Sequence, residues 1–295
     1  MRVVSLVPAA TEIACAIGAA DDLVAVTHDC DYPPRIRALP RVTRSTIPVG
    51  AGSRAIDDAV RGAAERGDST FHLDADALAA ARPDVLLGQT LCSVCAVTVS
   101  QLPSTLNPAP DVVPLDGGSI AGVLADVLRV GDVLGRSHEA ADLVASLRAR
   151  IADVERRVAG APRPTVACLE WLDPLFNAGH WVPEQVSHAG GRDLFGVAGV
   201  PSIDFAADRL YAADPDFVFV MPCGFDVERA VVEARSLRAH PRWQQLRAVR
   251  EGRAYALDGN AYFSRPGPRI VDGIELLASI LHPDRVHSDI RRVAL

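Results

Sequence analysis

Six cysteines and eight histidines carry the most versatile chemistry in this chain of 295 residues. Thiolates and imidazoles are ligands that zinc and other soft metals prefer. Four of the cysteines and two of the histidines follow apolar runs that are predicted to be strands, and these six are the candidate metal ligands: His28, Cys30, Cys92, Cys95, His180 and Cys223. Cys15 and Cys168 fall inside a predicted helix and a predicted strand, so we expect them in the core.

The closest spacing among the candidates is Cys92-Ser93-Val94-Cys95, at the start of a predicted helix. A structural zinc site usually takes two such pairs, or one pair and two closely spaced histidines, and the remaining candidates are scattered along the chain. A Cys-x-x-Cys pair at a helix start also suits redox chemistry. Three interpretations stay open: half of a zinc site, a redox pair, or thiols that line a ligand or pack in the interior. No cofactor is required by this pattern, and zinc is a candidate.

Aromatic residues make up only 5% of the chain, yet they collect after the predicted strands. Ligands of open α/β sheets bind beyond the carboxyl ends of the strands, and a wide apolar cleft for a large ligand combines aromatic rings with a few polar groups. We therefore predict these ligand-contacting residues: Pro8, Ala9, Tyr32, Gln89, Cys92, Cys95, Glu170, Trp171, His180, Trp181, Phe225, Tyr262 and Phe263. The alternative is that the loop aromatics only pack the ends of the domain.

Two polar members of this set have more than one interpretation. His180 lies in a loop that enters a helix, where it serves as a ligand contact, as a metal ligand or only as a solvated side chain. Glu170 ends a buried strand beside Trp171, where a carboxylate needs a partner. It either bonds an amide group of the ligand or caps the helix that follows.

Catalytic motifs are missing from the sequence. All 30 basic residues are arginine, which excludes lysine Schiff bases and a P-loop lysine. Neither G-x-S-x-G nor H-E-x-x-H occurs. The segment Gly50–Ala55 matches the dinucleotide fingerprint G-x-G-x-x-A, but Pro48 breaks the segment before it and no strong strand leads into it, so a turn before a helix is predicted. The pattern favours a binding protein over an enzyme.

The elements that must position these residues alternate between strands and helices. Strands are predicted at 2–7, 23–27, 111–115, 165–171, 216–222 and 253–259. The segment 73–90 is predicted to form a helix, a turn and a buried strand. Further helices are predicted after an N-cap at Thr11, at 54–66, 119–134 and 137–158, after Val182, from 226, and at 268–280. This alternation predicts an α/β fold with mostly parallel sheets.

Composition bounds the function. The hydrophobic fraction of 49% and the charged fraction of 23% predict a folded globular chain, and a net charge of -7 argues against nucleic acid as a partner. Every apolar run is interrupted before the length of about 20 residues that a membrane-spanning helix needs. The N-terminal residues lack the basic and continuously apolar regions of a signal peptide, which predicts a cytoplasmic location.

One predicted helix is unusually long. The segment 137–158 places apolar residues on one stripe and spans about 33 Å at 1.5 Å per residue. Because strands and helices alternate on both sides of it, we predict an N-terminal α/β lobe at 1–135, a linking helix at 136–160 and a C-terminal α/β lobe at 161–295.

Several motifs follow one another over nearly the whole chain: RVVSLVPAATEIACAIG, DYPP, DADALAAARPDVLL, LEW, AGHWVPEQVSHAGG, AADPDFVFVMP and WQQLRAVREGRAYALDGNAYFSRPGPRIVDGIELLA. Their order resembles the helical-backbone class (class III) of substrate-binding proteins of ABC importers, and within it the cobalamin-binding proteins. The resemblance implies two Rossmann-like lobes joined by one rigid helix, with a ligand cleft between the lobes. It implies non-catalytic capture of a cobalamin-like corrinoid or a related metal chelate. Relatives of similar pattern bind ferric siderophores or haem, which is the first alternative.

Members of this class that work with a permease carry one docking glutamate in each lobe. Counted from the turns at 82–84 and 214–216, those positions here hold Asp76 and Asp208. The shorter side chains predict weak docking to an ABC permease. The second alternative is a thiol-dependent metalloprotein or enzyme on a recruited binding-protein fold, which would use the six candidate metal ligands.

Overall fold

A computed structural model of the chain describes residues 1–90, 102 and 108–295. These residues form two compact units. Unit 1 comprises Met1–Ala51, Ala55–Gly117 and Ala121–Ser146, and unit 2 comprises Gly52–Arg54, Gly118–Ile120 and Leu147–Leu295. Each unit contains its own β-sheet with helices, which confirms the predicted α/β class.

Unit 1 is built on a four-stranded parallel sheet. The chain order of its elements is β1 (Val3–Ser5), α1 (Pro8–Ala16), β2 (Leu23–Ala25), β3 (Thr43–Ser45), α2 (Ser53–Glu65), β4 (Phe71–Leu73), α3 (Ala75–Ala81), β5 (Val85–Gln89), β6 (Asp111–Leu115) and α4 (Ile120–Val133). The first residues of α2 and α4, Ser53–Arg54 and Ile120, belong to unit 2. The strand order is β2-β1-β5-β6 with every pair parallel, while β3 and β4 form a separate antiparallel pair. β1 and β5 carry the core, where Val4, Leu6 and Leu86 are fully buried.

The long helix α5 (Ser137–Val158) has the predicted bounds. Its first part, to Ser146, belongs to unit 1, and the rest belongs to unit 2. In unit 2, Arg150 on this helix binds Asp272 at 2.5 Å and Glu275 at 2.7 Å. The helix is amphipathic, and within the described parts of the chain no helix is both long and apolar enough to cross a bilayer.

Unit 2 is built on a mixed sheet. After α5 the chain forms β7 (Thr165–Leu172), β8 (Leu175–Asn177), α6 (Val182–His188), β9 (Arg192–Asp193), α7 (Ala207–Ala213), β10 (Phe217–Val220), α8 (Val227–Glu233), α9 (Arg235–Arg238), α10 (Arg247–Arg250), β11 (Ala254–Ala256), α11 (Gly259–Tyr262), α12 (Ile270–Leu281) and β12 (Val293–Ala294). The strand order is β12-β11-β10-β7-β8, and β9 also pairs with β7. The three central strands β7, β10 and β11 are parallel, so their carboxyl ends lie at one edge.

The two units share one local plan. In each, a seven-residue helix, α3 or α7, ends at a non-glycine residue with positive φ: Arg82 at 43° and Asp214 at 41°. A Pro-Asp pair follows this residue in both units. The helix ends there because proline cannot continue it, and a buried central strand begins directly after the pair.

The aspartate of each Pro-Asp pair fixes the start of the unit's first strand. Asp84 accepts a hydrogen bond from the backbone N–H of Arg2 at 2.7 Å, and Asp216 accepts one from the backbone N–H of Thr165 at 2.8 Å. The same sequence pattern therefore performs the same structural task twice.

The predicted N-cap at Thr11 is wrong. α1 begins at Pro8, three residues earlier, since the fixed φ of proline suits the first turn of a helix. Thr11 lies inside the helix, where its hydroxyl donates to the hydroxyl of Ser5 at 2.8 Å.

Candidate functional site

The carboxyl edge of the unit 2 sheet brings together several of the predicted ligand contacts. The name "unit 2 edge" is used below for these residues: Glu170–Trp171, Gly179–Trp181, Val200–Ser202, Cys223–Phe225 and Gly259–Phe263. Backbone hydrogen bonds join its segments: the N–H of Cys223 donates to the carbonyl of Glu170 at 3.0 Å, and the N–H of Asn260 donates to that of Phe225 at 3.0 Å. Glu170–Trp171 lie near the carboxyl end of β7, Cys223–Phe225 and Gly259–Phe263 follow β10 and β11, and the other two segments come from the loops after β8 and β9.

An aromatic pair lies at this edge. The ring centroids of Trp171 and Phe225 are 5.4 Å apart, and the guanidinium of Arg229 lies 4.2 Å above the Phe225 ring. The indole N–H of Trp171 donates to the carbonyl of Ser53, also in unit 2, at 3.2 Å. Trp171 is partly exposed, and its indole N–H already has a hydrogen-bond partner. The part of its ring that remains exposed is therefore apolar, and the Arg229 guanidinium lies over the neighbouring Phe225 ring.

The carboxylate of Glu170 joins two loops of the unit 2 edge by hydrogen bonds. The register between β7 and β8 shifts between Leu169 and Trp171, an irregularity of the kind that re-aims a side chain next to a functional site. Glu170 accepts hydrogen bonds from the hydroxyl of Ser202 at 3.0 Å and from the backbone N–H of Gly179 at 3.4 Å. The alternative that Glu170 caps the following helix is wrong, because α6 has no side-chain cap and the Glu170 carboxylate is bonded to loop groups. Its bond to an amide group of the ligand stays a prediction.

His180 is held in a strained conformation. Its φ is 54°, in the left-handed region that a non-glycine residue rarely adopts. Both backbone groups are fixed by the facing loop: the N–H of His180 donates to the carbonyl of Val200 at 2.7 Å, and the N–H of Gly199 donates to the carbonyl of His180 at 2.9 Å. The half-buried imidazole stacks on Trp181 at 5.8 Å, and burial lowers its pKa.

Three aromatic residues predicted as ligand contacts are mostly interior. Trp181, Phe225 and Phe263 are 4%, 6% and 3% exposed, so packing at the end of the sheet accounts for most of their surface. Tyr262 is partly exposed, and the guanidinium of Arg269 lies 5.8 Å from its ring centroid. The aromatic surface that unit 2 exposes at this edge is thus smaller than the sequence predicts, and ligand contact by these residues stays a prediction.

A loop that the sequence prediction missed completes this edge. Val197, Val200 and Ile203 are 60%, 46% and 56% exposed, an unusual concentration of exposed aliphatic side chains. Ile203 is paired to Asn177 through two hydrogen bonds, of 3.0 and 3.2 Å. The sequence signal was available: two glycines and a proline in GVAGVPSI mark a surface loop, so the aliphatic residues within it must lie at the surface.

Four of the contacts predicted in unit 1 lie among its described residues, and each is at or beyond the carboxyl end of a parallel strand. Pro8 and Ala9 begin α1, which is separated from the end of β1 by two residues, and Ala9 is buried. Gln89 is the buried last residue of β5, whereas Tyr32, beyond β2, is 46% exposed.

The candidate metal ligands of unit 1 face different partners. The His28 ring binds the Thr43 hydroxyl at 2.7 Å and stacks on Phe71. Cys30 is buried against the hydroxyls of Thr11 and Thr27, at 3.1 and 3.2 Å. Neither geometry resembles a shared metal site.

Cys92 and Cys95 lie outside the described residues, so their roles stay predictions. Among the residues that the structure does describe, no three histidine, cysteine, aspartate or glutamate side chains are grouped so that they could hold a metal ion. Cys168 is fully buried in β7, as predicted for the core. Cys15 on α1 is only partly buried, which raises the pKa of its thiol to about 11 and keeps it protonated near neutral pH.

The fold and the sequence can be compared with known proteins. The chain is 23% identical over 296 residues to an ABC transporter substrate-binding lipoprotein of Bacillus subtilis that is itself uncharacterised, covering 96% of this chain and 80% of that protein. It is 24% identical over 287 residues to the vitamin B12-binding protein of Vibrio cholerae, covering 95% and 88%. A periplasmic heme-binding protein from Pseudomonas aeruginosa has a similar crystal structure, with a TM-score of 0.70 at 21% identity, covering 99% and 95%.

The family model described as "Periplasmic binding protein" matches residues 3–261, which is most of the chain. This family consists of binding proteins without catalytic activity, in agreement with the prediction of a binding protein. The match also agrees with the resemblance identified from the motifs. The chain belongs to the periplasmic binding protein family.

Proposed function

We propose that this protein binds a cobalamin-like corrinoid, or a related metal chelate such as haem or a ferric siderophore, without changing it chemically. The observation that carries the proposal is the similarity to a vitamin B12-binding protein over 95% of the chain. The similarity in fold to a heme-binding protein supports the broader class of metal chelates.

The chemistry of the unit 2 edge supports a large, flat and mostly apolar ligand. At this edge Trp171 offers a ring face and Val200 an exposed aliphatic side chain. Next to this edge in the chain, Ile203 adds exposed aliphatic surface, and Arg229 places a cation over the Phe225 ring. Corrinoids and porphyrins combine a wide apolar macrocycle with anionic or amide groups at its rim. Such a ligand buries apolar surface on the aromatic and aliphatic groups while the rim bonds to polar ones.

Titration of the purified protein with aquacobalamin, cyanocobalamin, haemin and ferrichrome tests the proposal. Calorimetry and absorbance measure affinity and stoichiometry. Saturable binding of one of these chelates, with cobalamins preferred, is the expected result. If none of them binds below millimolar concentration, the proposal is wrong.

A substitution locates the binding surface. Replacing Trp171 with leucine removes a ring face, worth about 0.5–1.5 kcal/mol in a stacked contact, so the affinity for the chelate should fall by up to about tenfold. Replacing Tyr211, a partly exposed aromatic residue on α7 that stacks on His240, is the matched control and should leave the affinity unchanged. Equal affinity of both variants and the wild type would exclude Trp171 from the binding surface.

Docking to an ABC permease is proposed to be weak. Asp76 and Asp208 lie in the first turns of α3 and α7, and Asp208 is 83% exposed yet already paired with Arg242. An arginine of a permease would have to compete with that pair. If so, lengthening both side chains (Asp76→Glu with Asp208→Glu) should raise ligand-stimulated ATP hydrolysis by an importer of this class, and no increase would contradict weak docking at these positions. A cytoplasmic carrier, buffer or sensor of the chelate is the role that fits weak docking.

The alternative of a thiol-dependent metalloprotein is tested on the same preparation. Elemental analysis that finds one zinc or iron per chain, lost when Cys92 and Cys95 are both changed to serine, would favour it over simple chelate binding. Chelate binding by metal-free protein would exclude it as the main function.

A further inference from the structure

We infer that His180 binds the metal of the captured chelate through an imidazole nitrogen, at an axial position that the free chelate fills with water. This inference rests on the proposed function and adds to it the residue that contacts the metal. It requires a chelate whose metal has an exchangeable site, such as aquacobalamin or ferric haem.

The backbone of His180 is strained without a local structural purpose. Arg82 and Asp214, the other described non-glycine residues with positive φ, each end a helix, where the left-handed conformation serves the turn that follows. His180 ends no helix. Strain of this kind persists where the surrounding structure fixes a side chain for function.

The facing loop fixes His180 in this conformation. Two backbone hydrogen bonds join its peptide groups to Gly199 and Val200. The preceding residue must be glycine, because a Cβ on Gly179 would lie 2.3 Å from the backbone nitrogen of Ser202. The Glu170 carboxylate bonds to both Gly179 and Ser202 and locks the two segments together. The imidazole is therefore presented from a rigid support, as a metal ligand requires.

The imidazole ring of His180 is in a state that suits a metal ligand. Six of the eight histidines have a ring nitrogen engaged with a neighbouring group: His28, His138, His188, His240, His282 and His287. Within the described residues, neither ring nitrogen of His180 has such a partner, and the ring stacks on Trp181. Burial favours the neutral ring, and a neutral imidazole has the lone pair that a metal needs.

The binding step is a ligand exchange without redox change. A nitrogen lone pair of His180 forms a bond to cobalt(III) or iron(III), the bond from the metal to water breaks, and the water leaves. The metal keeps its oxidation state, and no proton is transferred because the attacking nitrogen is unprotonated. Cyanocobalamin carries a tightly held cyanide at that position, so His180 should not displace it.

Absorbance spectra of the full-length protein with aquacobalamin, and separately with haemin, test the inference. For the wild type we expect the cobalt or Soret bands to shift to those of an imidazole complex, and no shift with cyanocobalamin. His180→Asn should abolish the shift, because asparagine tolerates positive φ but its amide is a poor ligand. The control His138→Asn, an exposed residue on α5, should retain the shift.

Rescue provides a second measurement. In His180→Gly, the spectrum of the bound aquacobalamin should remain that of the water complex until free imidazole is added, and imidazole should then restore the wild-type spectrum. If the wild type binds aquacobalamin or haemin with unchanged spectra, or if His180→Asn keeps the shifted spectrum, the inference about His180 is overturned while chelate binding stands. If no chelate binds to the wild type, both the proposed function and the inference fail.

Discussion

Replacing His180 with glycine or alanine measures how much strain the loop imposes at this position. At ordinary positions in helices and strands alanine is the more stable of the two residues. At a φ of 54° the order should reverse, since glycine lacks the Cβ that makes this conformation unfavourable. The comparison between the two variants isolates the backbone, because both lack the imidazole and its contact with Trp181.

The expected magnitude follows from two opposing terms. The left-handed conformation costs a residue with a Cβ roughly 1–2 kcal/mol. Glycine avoids this cost but loses more freedom on folding, which removes about 0.5–1 kcal/mol of the gain. His180→Gly should therefore be more stable than His180→Ala by about 0.5–1 kcal/mol. Relative to the wild type, each variant also loses the stacking of the imidazole on Trp181, worth about 0.5–1.5 kcal/mol.

Urea unfolding followed by circular dichroism and tryptophan fluorescence gives the free energies, provided that the m-values agree. Arg82→Gly and Arg82→Ala form a matched pair at a helix end with a φ of 43° and should show the same order. Glycine and alanine at position 80, an exposed helical site in α3, should show the opposite order, with glycine less stable by about 1 kcal/mol. If the free energy of unfolding of His180→Ala equals or exceeds that of His180→Gly, the backbone at His180 is not strained. Strain then no longer supports a role of His180 in binding.

Three further outcomes are expected. Gly179→Ala should destabilise the protein by about 1–3 kcal/mol and reduce chelate binding, because its Cβ would overlap the Ser202 backbone, and urea unfolding with titration checks both. Arg150→Met should lower the free energy of unfolding by about 1 kcal/mol at low salt and by less at high salt, because it removes the ion pairs of Arg150 with Asp272 and Glu275 at a partly exposed site. Burial lowers the pKa of His282 below its ordinary value, so the unfolded chain takes up a proton first as the pH falls and the folded state loses stability below about pH 6.5. His282→Gln should lose less stability than the wild type between pH 7.5 and 5, as measured by urea unfolding at each pH; an equal loss would contradict this assignment.

The sequence predicted the long helices and the central parallel strands because their signals are local, whereas the short strands β3, β4, β8, β9 and β12 were missed. The bounds of α5 agree with those predicted, since a 22-residue apolar stripe between a Gly-Arg turn and a Gly-Pro segment leaves little freedom. The start of α1 was missed because two signals compete there: Pro8 fits the first turn, and Thr11 is an ordinary N-cap residue. The helix begins at Pro8, and Thr11 lies inside it, where its hydroxyl donates a hydrogen bond to Ser5.

The site was only partly predictable because side-chain partners are not local. The position of Glu170 at the end of a strand could be inferred, but its bonds to Gly179 and Ser202 depend on a loop that lies 32 residues further along the chain in the case of Ser202. The same holds for Trp181, whose interior position follows from packing around α6. Strand order indicates which loops meet at an edge of the sheet. Which of their residues are buried and hydrogen-bonded, and which are exposed, depends on the three-dimensional packing of the side chains.

The repeated plan of the two units makes the departures from it informative. The helix, the positive-φ residue, the Pro-Asp pair and the strand occur in both units, and in both the aspartate anchors the first strand, so these features belong to the fold. Residues that serve the fold in this way need no ligand to explain them. His180 and its loop differ, because the described part of unit 1 contains no second histidine in this conformation and the bonds that strain His180 stabilise no helix end. Where folding alone gives no reason for a strained residue, binding is the explanation to test first.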